Sequence, residues 1–208
     1  MKIKSLGSVS FLLDFSNISI ACDIDRLIEL GEKFSPVSCD VVVSTNKKFY
    51  GKIDELQTFV AKKVKANNVE VFYIASHGEY AFGDVLVRRF IGSDFYVFDQ
   101  GNLRIVYMGS VKEGFKEKEL KDLADVDVLI APIGFDKADD VMKVVHLVDP
   151  AIFVPSAYKE ISDDSSLISI QDFIKASGLA NVETGKVLKL QTGITEANRI
   201  LKMFVFEK

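Results

Sequence analysis

The sequence predicts an α/β fold in which two β-sheets pack face to face and helices cover both outer faces, a four-layer αββα sandwich. Two β-rich stretches are each followed by helix-like segments. The run at residues 40–45 (DVVVST) is apolar over consecutive positions, which is typical of a strand buried on both faces. The chain has 208 residues, 48% of them hydrophobic, and shows neither a linker nor a repeat, so we expect one domain over residues 1–208.

The first half of the chain contains four predicted strands and one predicted helix. The strands are β-rich runs separated by turn residues, with Ser16-Asn17 as a hairpin tip, and they cover residues 1–6, 9–14, 18–22 and 40–45. A helix is predicted over residues 52–65 because apolar side chains recur there at helical spacing: Ile53, Leu56, Phe59, Val60 and Val64.

The second half begins as a β-meander and then alternates strands with helices. Gly83-Asp84 and Gly101-Asn102 are the predicted turns of the meander, whose strands cover residues 69–75, 80–82, 85–90, 95–99 and 103–108. The alternating part comprises helices at 116–123, 137–147 and 168–176 and strands at 126–132, 151–155, 187–191 and 202–206. Two β-rich halves, each followed by helices, are what the sandwich requires.

Composition restricts the partners. The net charge of -4 and the pI of about 5.3 argue against nucleic acid, which prefers a basic face. No apolar run approaches the roughly 20 residues of a membrane span, and we find no signal peptide, so we expect a cytoplasmic protein that does not enter a membrane. Cys22 and Cys39 leave room for one disulfide but form no disulfide framework.

Several segments, in order along the chain, carry a resemblance to a known family. They are the strand–turn–strand at residues 3–11, Ala21-Cys22-Asp23, the apolar strand 40–45 with residues 46–51 after it, Gly78-Glu79-Tyr80, and the stretches 103–110, 126–134 and 154–158. In this order and spacing they resemble the metallo-β-lactamase superfamily, most closely the branch of ascorbate-phosphate lactonase-like metal-dependent hydrolases. The resemblance covers roughly residues 1 to 160 and implies the αββα fold of that superfamily.

The same resemblance locates the positions of the metal ligands, and this sequence departs from the family at nearly all of them. Asn46 and Lys48 replace the first two histidines of the His-x-His-x-Asp-His motif, and Tyr50 and Gly51 replace its Asp and last His. Ser8 replaces the His of a Gly-His turn, Ser110 replaces the bridging Asp, and Ala157 replaces the final His. Asp23 is the one acidic position that is kept. The eight former metal positions are Ser8, Asp23, Asn46, Lys48, Tyr50, Gly51, Ser110 and Ala157.

Metal-assisted hydrolysis needs several nitrogen or oxygen ligands that converge on the ion and leave a position open for water. The chain has two histidines, His77 and His146, and neither aligns with a ligand position. We therefore expect no metal, no other cofactor and no catalytic residue. We hypothesise that Lys48 or a neighbour pairs with Asp23 where a metal would lie; the alternative is that Lys48 points into solvent.

Three functions stay open at this point. The first is a binding or scaffold module for an unknown protein partner, with homo-oligomers as an option. The second is a hydrolase with an atypical site, in which His77, Asp23, Asp25 and Glu79 would have to converge. The third is a sensor that binds a small anion in the former cleft, lined by Lys48, Tyr50 and either Arg88 or Arg89. The sequence favours the first, because the framework is kept while the site is erased.

Overall fold

The structure is a computed structural model of the chain, and it describes residues 1–109, 120, 123–134, 137–162, 164–190 and 200–207. Its first half forms strands β1 (Lys2–Gly7), β2 (Ser10–Asp14), β3 (Ser19–Cys22), β4 (Val37–Cys39), β5 (Val41–Val43), β6 (Val64–Ala66) and β7 (Phe72–Ile74), helices α1 (Ile24–Glu29) and α2 (Ile53–Val60), and a 3-10 turn at Lys47–Phe49.

The second half begins with the meander strands β8 (Gly78–Phe82), β9 (Val85–Arg89), β10 (Tyr96–Gln100) and β11 (Leu103–Tyr107). Strands and helices then alternate: β12 (Val128–Pro132), α3 (Ala138–Val148), β13 (Ile152–Ser156), α4 (Ile170–Ser177), β14 (Val182–Gly185), β15 (Leu188–Lys189) and β16 (Lys202–Phe206), with a 3-10 turn at Lys159–Ile161.

Two large sheets account for most of these strands. The first sheet has the order β15-β1-β2-β3-β5-β7, and the second has the order β14-β16-β13-β12-β11-β10-β9-β8. Each sheet combines an antiparallel meander with parallel strands: β3, β5 and β7 are parallel in the first sheet, and β11, β12 and β13 in the second. Strands β4 and β6 form a separate parallel pair.

The alternation of side chains along the first sheet assigns its two faces. Ile20 and Cys22 of β3 belong to the main core with the second sheet, whereas Ala21, between them, packs in a smaller cluster with Leu56 and Val60 of α2. On the other side of the molecule, α3 and α4 pack against the second sheet, as the contact of Phe153 with Phe173 illustrates. The order of layers is helices, sheet, sheet, helices, so the predicted four-layer αββα sandwich is confirmed.

Several local predictions differ from the structure. The helix predicted over 52–65 ends at Val60, and Val64–Ala66 forms β6 instead, because its backbone pairs with β4. Helix α1 and strands β4, β6 and β14 have no counterpart among the predicted elements. Most of the helix predicted over 116–123 lies outside the described residues. Both cysteines are free and buried, so the disulfide for which the sequence left room does not form.

None of the helices that the structure describes is both long and apolar enough to cross a membrane.

Candidate functional site

The candidate site lies where the carboxyl ends of the parallel strands in both sheets come together. Asp23 follows β3, Thr45 lies just beyond β5, Gly109 follows β11, and Ala157 follows β13. The turn between β1 and β2 reaches the same edge, because Ser8 accepts a hydrogen bond from the amide of Ala157 at 3.0 Å. The fold therefore brings together residues that are far apart in the sequence.

Backbone strain is concentrated at this edge. Three of the former metal positions have positive φ angles without being glycine: Ser8 at 43°, Asp23 at 51° and Ala157 at 55°. Such a conformation costs on the order of 1–3 kcal/mol for an ordinary residue and persists only where the surroundings impose it. Three of the positions predicted to belong to the site therefore lie in strained loops at this edge.

Asp23 is fully buried and its carboxylate is held by protein groups alone. Oδ1 accepts the amide of Thr45 at 2.6 Å, and Oδ2 contacts the hydroxyl of Thr45 at 2.6 Å and that of Tyr107 at 2.8 Å. The carbonyl oxygen of Asp23 accepts from the hydroxyl of Ser10 at 2.6 Å. Burial raises the pKa of Asp23, and the hydrogen bonds from Thr45 and Tyr107 oppose that rise.

Gly109 lies directly against Asp23 and Thr45, where a side chain would not fit. A Cβ atom at this position would lie 2.2 Å from the Thr45 hydroxyl oxygen and 2.7 Å from Oδ2 of Asp23, and the φ angle of Gly109 is +56°. Only glycine can therefore pass so close to the carboxylate. The next residue, Ser110, is one of the former metal positions and lies outside the described residues.

Asn46 takes part in a second group of contacts, with the acidic residues of α1. Its amide nitrogen donates to Oδ2 of Asp25 at 3.0 Å and to Oε2 of Glu29 at 3.1 Å, while its amide oxygen accepts from the backbone of Lys48 at 3.1 Å. Asn46 thus occupies a ligand position of the family motif, but both ends of its side chain are bound to protein.

Asp25 is buried beside Asp23. Burial raises the pKa of Asp25 to about 7, and the negative charge of Asp23 contributes to the rise. Its Oδ1 has no hydrogen-bond partner among the described residues. Because the charge of each acid affects the other, Asp23 and Asp25 titrate as a pair.

The hypothesis that Lys48 pairs with Asp23 is wrong. The Lys48 ammonium lies 3.4 Å from Oε1 of Glu29, and its side chain is 54% exposed. It also lies over the ring of Phe59, 4.8 Å from the centroid. Asp23 is inaccessible to it because Thr45 and Tyr107 surround the carboxylate.

Tyr50 and Gly51 lie on the other side of the same loop. The Tyr50 hydroxyl is 2.8 Å from Nδ1 of His77, and the guanidinium carbon of Arg89 is 5.5 Å from the centroid of the Tyr50 ring. The amide of Gly51 donates to the carbonyl of Ala75. Arg88, the alternative to Arg89 in the predicted anion pocket, pairs with Asp99 instead.

In the structure, the described residues among the predicted metal positions belong to separate groups of contacts. Ser8 and Ala157 contact each other, Asn46 and Lys48 contact the acids of α1, and Tyr50 contacts His77. The sequence did not single out Thr45, Tyr107 or Gly109 as site residues. The Gly109 position directly before Ser110 was the available signal, because a glycine at a strand end often marks a close approach.

These residues do not fit a metal ion of the kind that the resemblance implies. At the positions predicted to hold ligands, Lys48 has an ammonium, Tyr50 a hydroxyl bonded to His77, Asn46 a half-buried amide bonded at both ends, and Gly51 no side chain. In the part of the chain that the structure describes, no group of three or more His, Cys, Asp or Glu side chains is placed to hold a metal ion.

Comparison with solved structures places the fold among metal-dependent hydrolases. A putative Zn-dependent hydrolase of the metallo-β-lactamase superfamily from Thermotoga maritima is 19% identical, with a TM-score of 0.74 and full coverage of both chains. The metallo hydrolase Igni18 from Ignicoccus hospitalis is 13% identical, with a TM-score of 0.59 over 91% of this chain and 99% of that one. A putative metal-dependent hydrolase from Parabacteroides distasonis is 15% identical, with a TM-score of 0.59 over 97% of this chain and 91% of that one.

At these identities the solved structures establish the fold and not the activity. A comparison with curated proteins found no match. A model of the beta-lactamase superfamily domain matches residues 2–157, more than half of the chain. On the strength of that match and of the shared fold, this protein belongs to the metallo-β-lactamase superfamily.

Proposed function

We propose that this protein is a non-catalytic, metal-free member of its superfamily that acts as a binding or scaffold module. The observation that carries the proposal is that four of the predicted former metal positions bind other protein groups through their side chains: Asp23, Asn46, Lys48 and Tyr50. Asp23, the one acid kept, has contacts with Thr45 and Tyr107 at both carboxylate oxygens. A group engaged in this way is not available to an ion.

The charges around the site support the same proposal. A catalytic metal site gathers negative or neutral donors around a cation. Here Arg26 and Lys48 neutralise Glu29, and Arg89 lies next to Tyr50. An incoming divalent cation would meet fixed positive charges on both sides of the loop that carries Asn46 and Lys48.

The atypical hydrolase is the weaker alternative. It requires His77, Asp23, Asp25 and Glu79 to converge, yet His77 is bonded to Tyr50 and Asp23 to Thr45 and Tyr107. A sensor for small anions receives more support, because the buried guanidinium of Arg89 reaches the Tyr50 side of the loop. A protein partner, a single domain over residues 1–208 and a cytoplasmic location remain part of the proposal.

Metal content tests the proposal. The protein is expressed with zinc, iron and manganese supplied, purified without chelators and analysed by inductively coupled plasma mass spectrometry. We expect less than about a tenth of an equivalent of any metal, and no change in melting temperature when EDTA or zinc is added, because a ligand that binds the folded state would stabilise it. One or two tightly held ions per chain would overturn the proposal and make the hydrolase the better interpretation.

A variant with part of the family motif restored serves as the positive control. The triple substitution Asn46→His, Lys48→His and Tyr50→Asp returns three ligand types to the loop after β5 while leaving Gly51, with its φ of +71°, unchanged. We expect the variant to bind more zinc than the wild-type protein. If wild-type protein binds as much zinc as the variant, the present residues are competent ligands and the proposal is wrong.

A further inference from the structure

Charged and polar side chains from both sheets meet beside Tyr50. Arg89 is the last residue of β9, and the register of the second sheet pairs it with Gly78, directly after His77. Lys47 opens the 3-10 turn beyond β5 of the first sheet. Arg89 lies beside Tyr50, as the anion-sensor alternative predicted, and the Lys47 ammonium reaches the same region through Asp94, where that alternative placed Lys48.

The charge of Arg89 is buried and incompletely compensated. Arg89 is 2% exposed, and its hydrogen bonds go to neutral groups, among them the carbonyl of Ser44 at 3.2 Å and the carbonyl of Ser93 at 3.4 Å. Among the described residues, the carboxylate nearest to it in an ion pair is Asp94, with 3.7 Å between Nη2 and Oδ1, which is longer than a hydrogen bond. A buried guanidinium is stable when an anion binds it closely.

Asp94 lies between the two cations. Its Oδ2 is 3.1 Å from the Lys47 ammonium, and its Oδ1 faces Arg89. Asp94 belongs to the short connection between β9 and β10, which turns back at Ser93, where the amide donates to the carbonyl of Phe90 at 3.0 Å. The Asp94 side chain is 35% exposed, so a partly exposed carboxylate lies next to a buried cation.

We propose that Arg89, Lys47 and the Tyr50–His77 pair form a binding site for a small oxyanion, a carboxylate or a phosphate group, which Asp94 covers in the absence of ligand. The inference rests on the anion-sensor alternative of the proposed function. An incoming anion replaces the Asp94 carboxylate between the two cations and approaches the guanidinium more closely than 3.7 Å. Tyr50 is 45% exposed, so the site is accessible from solvent on that side.

The affinity of the site for a free anion depends on how often the Asp94 carboxylate occupies it. Because Asp94 is covalently tethered, it competes with any free anion as an intramolecular ligand at high effective concentration. Removing its charge therefore opens the site, whereas removing the charge of an unrelated surface acid has no such effect. Asp139, in the first turn of α3, is a matched control, since its substitution by asparagine changes the net charge by the same amount.

The test is isothermal titration of EDTA-treated protein with inorganic phosphate and, separately, with acetate. We expect Asp94→Asn to raise the affinity for at least one of the two anions by roughly tenfold over the wild-type protein, and Asp139→Asn to leave it unchanged. Adding Lys47→Gln to Asp94→Asn should reverse the gain, because one of the two cations is lost. Lys47 is 65% exposed, so this variant folds even if substitution of the buried Arg89 does not.

Equal affinities for Asp94→Asn and Asp139→Asn would overturn the inference, as would a Lys47→Gln substitution that leaves the gain intact. A preference for phosphate over acetate, or the reverse, identifies the anion class. Because the protein is treated with EDTA before the titration, the result does not depend on metal content. A protein that binds zinc but shows the anion effect contradicts the metal-free proposal alone, whereas a metal-free protein without the anion effect contradicts this inference alone.

Discussion

The hydroxyl of Tyr107 in the second sheet lies 2.8 Å from Oδ2 of Asp23 in the first, and 2.9 Å from the carbonyl oxygen of Val9. One hydroxyl hydrogen serves one of these acceptors at a time. Tyr107 donates this hydrogen to one acceptor or the other, and its hydrogen bond to Asp23 opposes the rise in the pKa of Asp23 that burial causes. The Tyr107 hydroxyl thus joins the two sheets at the candidate site.

Tyr107→Phe tests this link. The substitution removes the hydroxyl and keeps the ring, so the buried carbonyl of Val9 and the carboxyl of Asp23 each lose a partner. We expect the free energy of unfolding to fall by about 1–3 kcal/mol, the cost of leaving a buried polar group unsatisfied. Urea unfolding measures it. Tyr73→Phe is the control, because Tyr73 is only half-buried, and a loss as large as that of Tyr107→Phe would contradict the role of the link.

Gly109→Ala tests the close approach of the backbone to Asp23. Gly109 and Gly101 have almost the same φ, +56° and +57°, but a Cβ at Gly109 would collide with Thr45 whereas a Cβ at Gly101 meets nothing within 4 Å. Gly101→Ala should therefore cost about 1 kcal/mol, for the backbone conformation alone. Gly109→Ala should cost at least about 2 kcal/mol more, because Thr45 and Asp23 must move. Equal melting temperatures for the two variants would show that the site has room there.

Lys48→Gln tests whether Lys48 replaces a metal. Its partner is Glu29 at 3.4 Å and its side chain is 54% exposed, so we expect a loss of less than about 1 kcal/mol. Lys52 is a close match: it lies 3.4 Å from Glu55 and is also 54% exposed. Lys52→Gln should have the same small effect on thermal unfolding. A loss of several kcal/mol for Lys48→Gln alone would show that Lys48 compensates a buried charge.

The αββα sandwich was predictable because each sheet buries at least one face, and period-two alternation or continuous apolar runs report that burial directly. Shorter elements were not: β4 and β6 have three residues each, and the helical spacing of Val64 with the residues before it suggested a helix where the chain forms a strand. Pairing with a distant strand decided the outcome, and local spacing carries no information about it.

The candidate site was predictable in position but not in its contacts. Motif order indicated which loops meet, and Ser8 and Ala157 do contact each other. The partners of Asp23 are 22 and 84 residues away along the chain. Threonine and tyrosine at these positions have no distinctive spacing, so only the folded backbone shows that their hydroxyls surround the carboxylate. The assignment of Lys48 to Asp23 failed for the same reason.

The last prediction concerns the pH dependence of stability. Burial raises the pKa of Asp23, and burial together with the charge of Asp23 raises that of Asp25 to about 7. Between the ordinary pKa of an aspartate in the unfolded chain, about 3.9, and these raised values, the folded state binds more protons than the unfolded state. The free energy of unfolding therefore decreases as the pH rises through this window, by on the order of 1 kcal/mol per pH unit.

Two other acids, Asp40 and Glu29, affect the free energy of unfolding at lower pH. The Asp40 and Glu29 pKa values are lowered, mainly by hydrogen bonds that outweigh their desolvation, so their stabilisation is lost only as the pH falls below about 4. Denaturant unfolding at pH 5, 6, 7 and 8 separates the two effects. Asp25→Asn removes the titrating group and keeps the shape, so we expect a shallower slope and greater stability than wild type at pH 8. Asp139→Asn should retain the wild-type slope. If Asp25→Asn also retains it, Asp25 is ionised in the folded protein throughout this range, and Asn46 is enough to stabilise its charge.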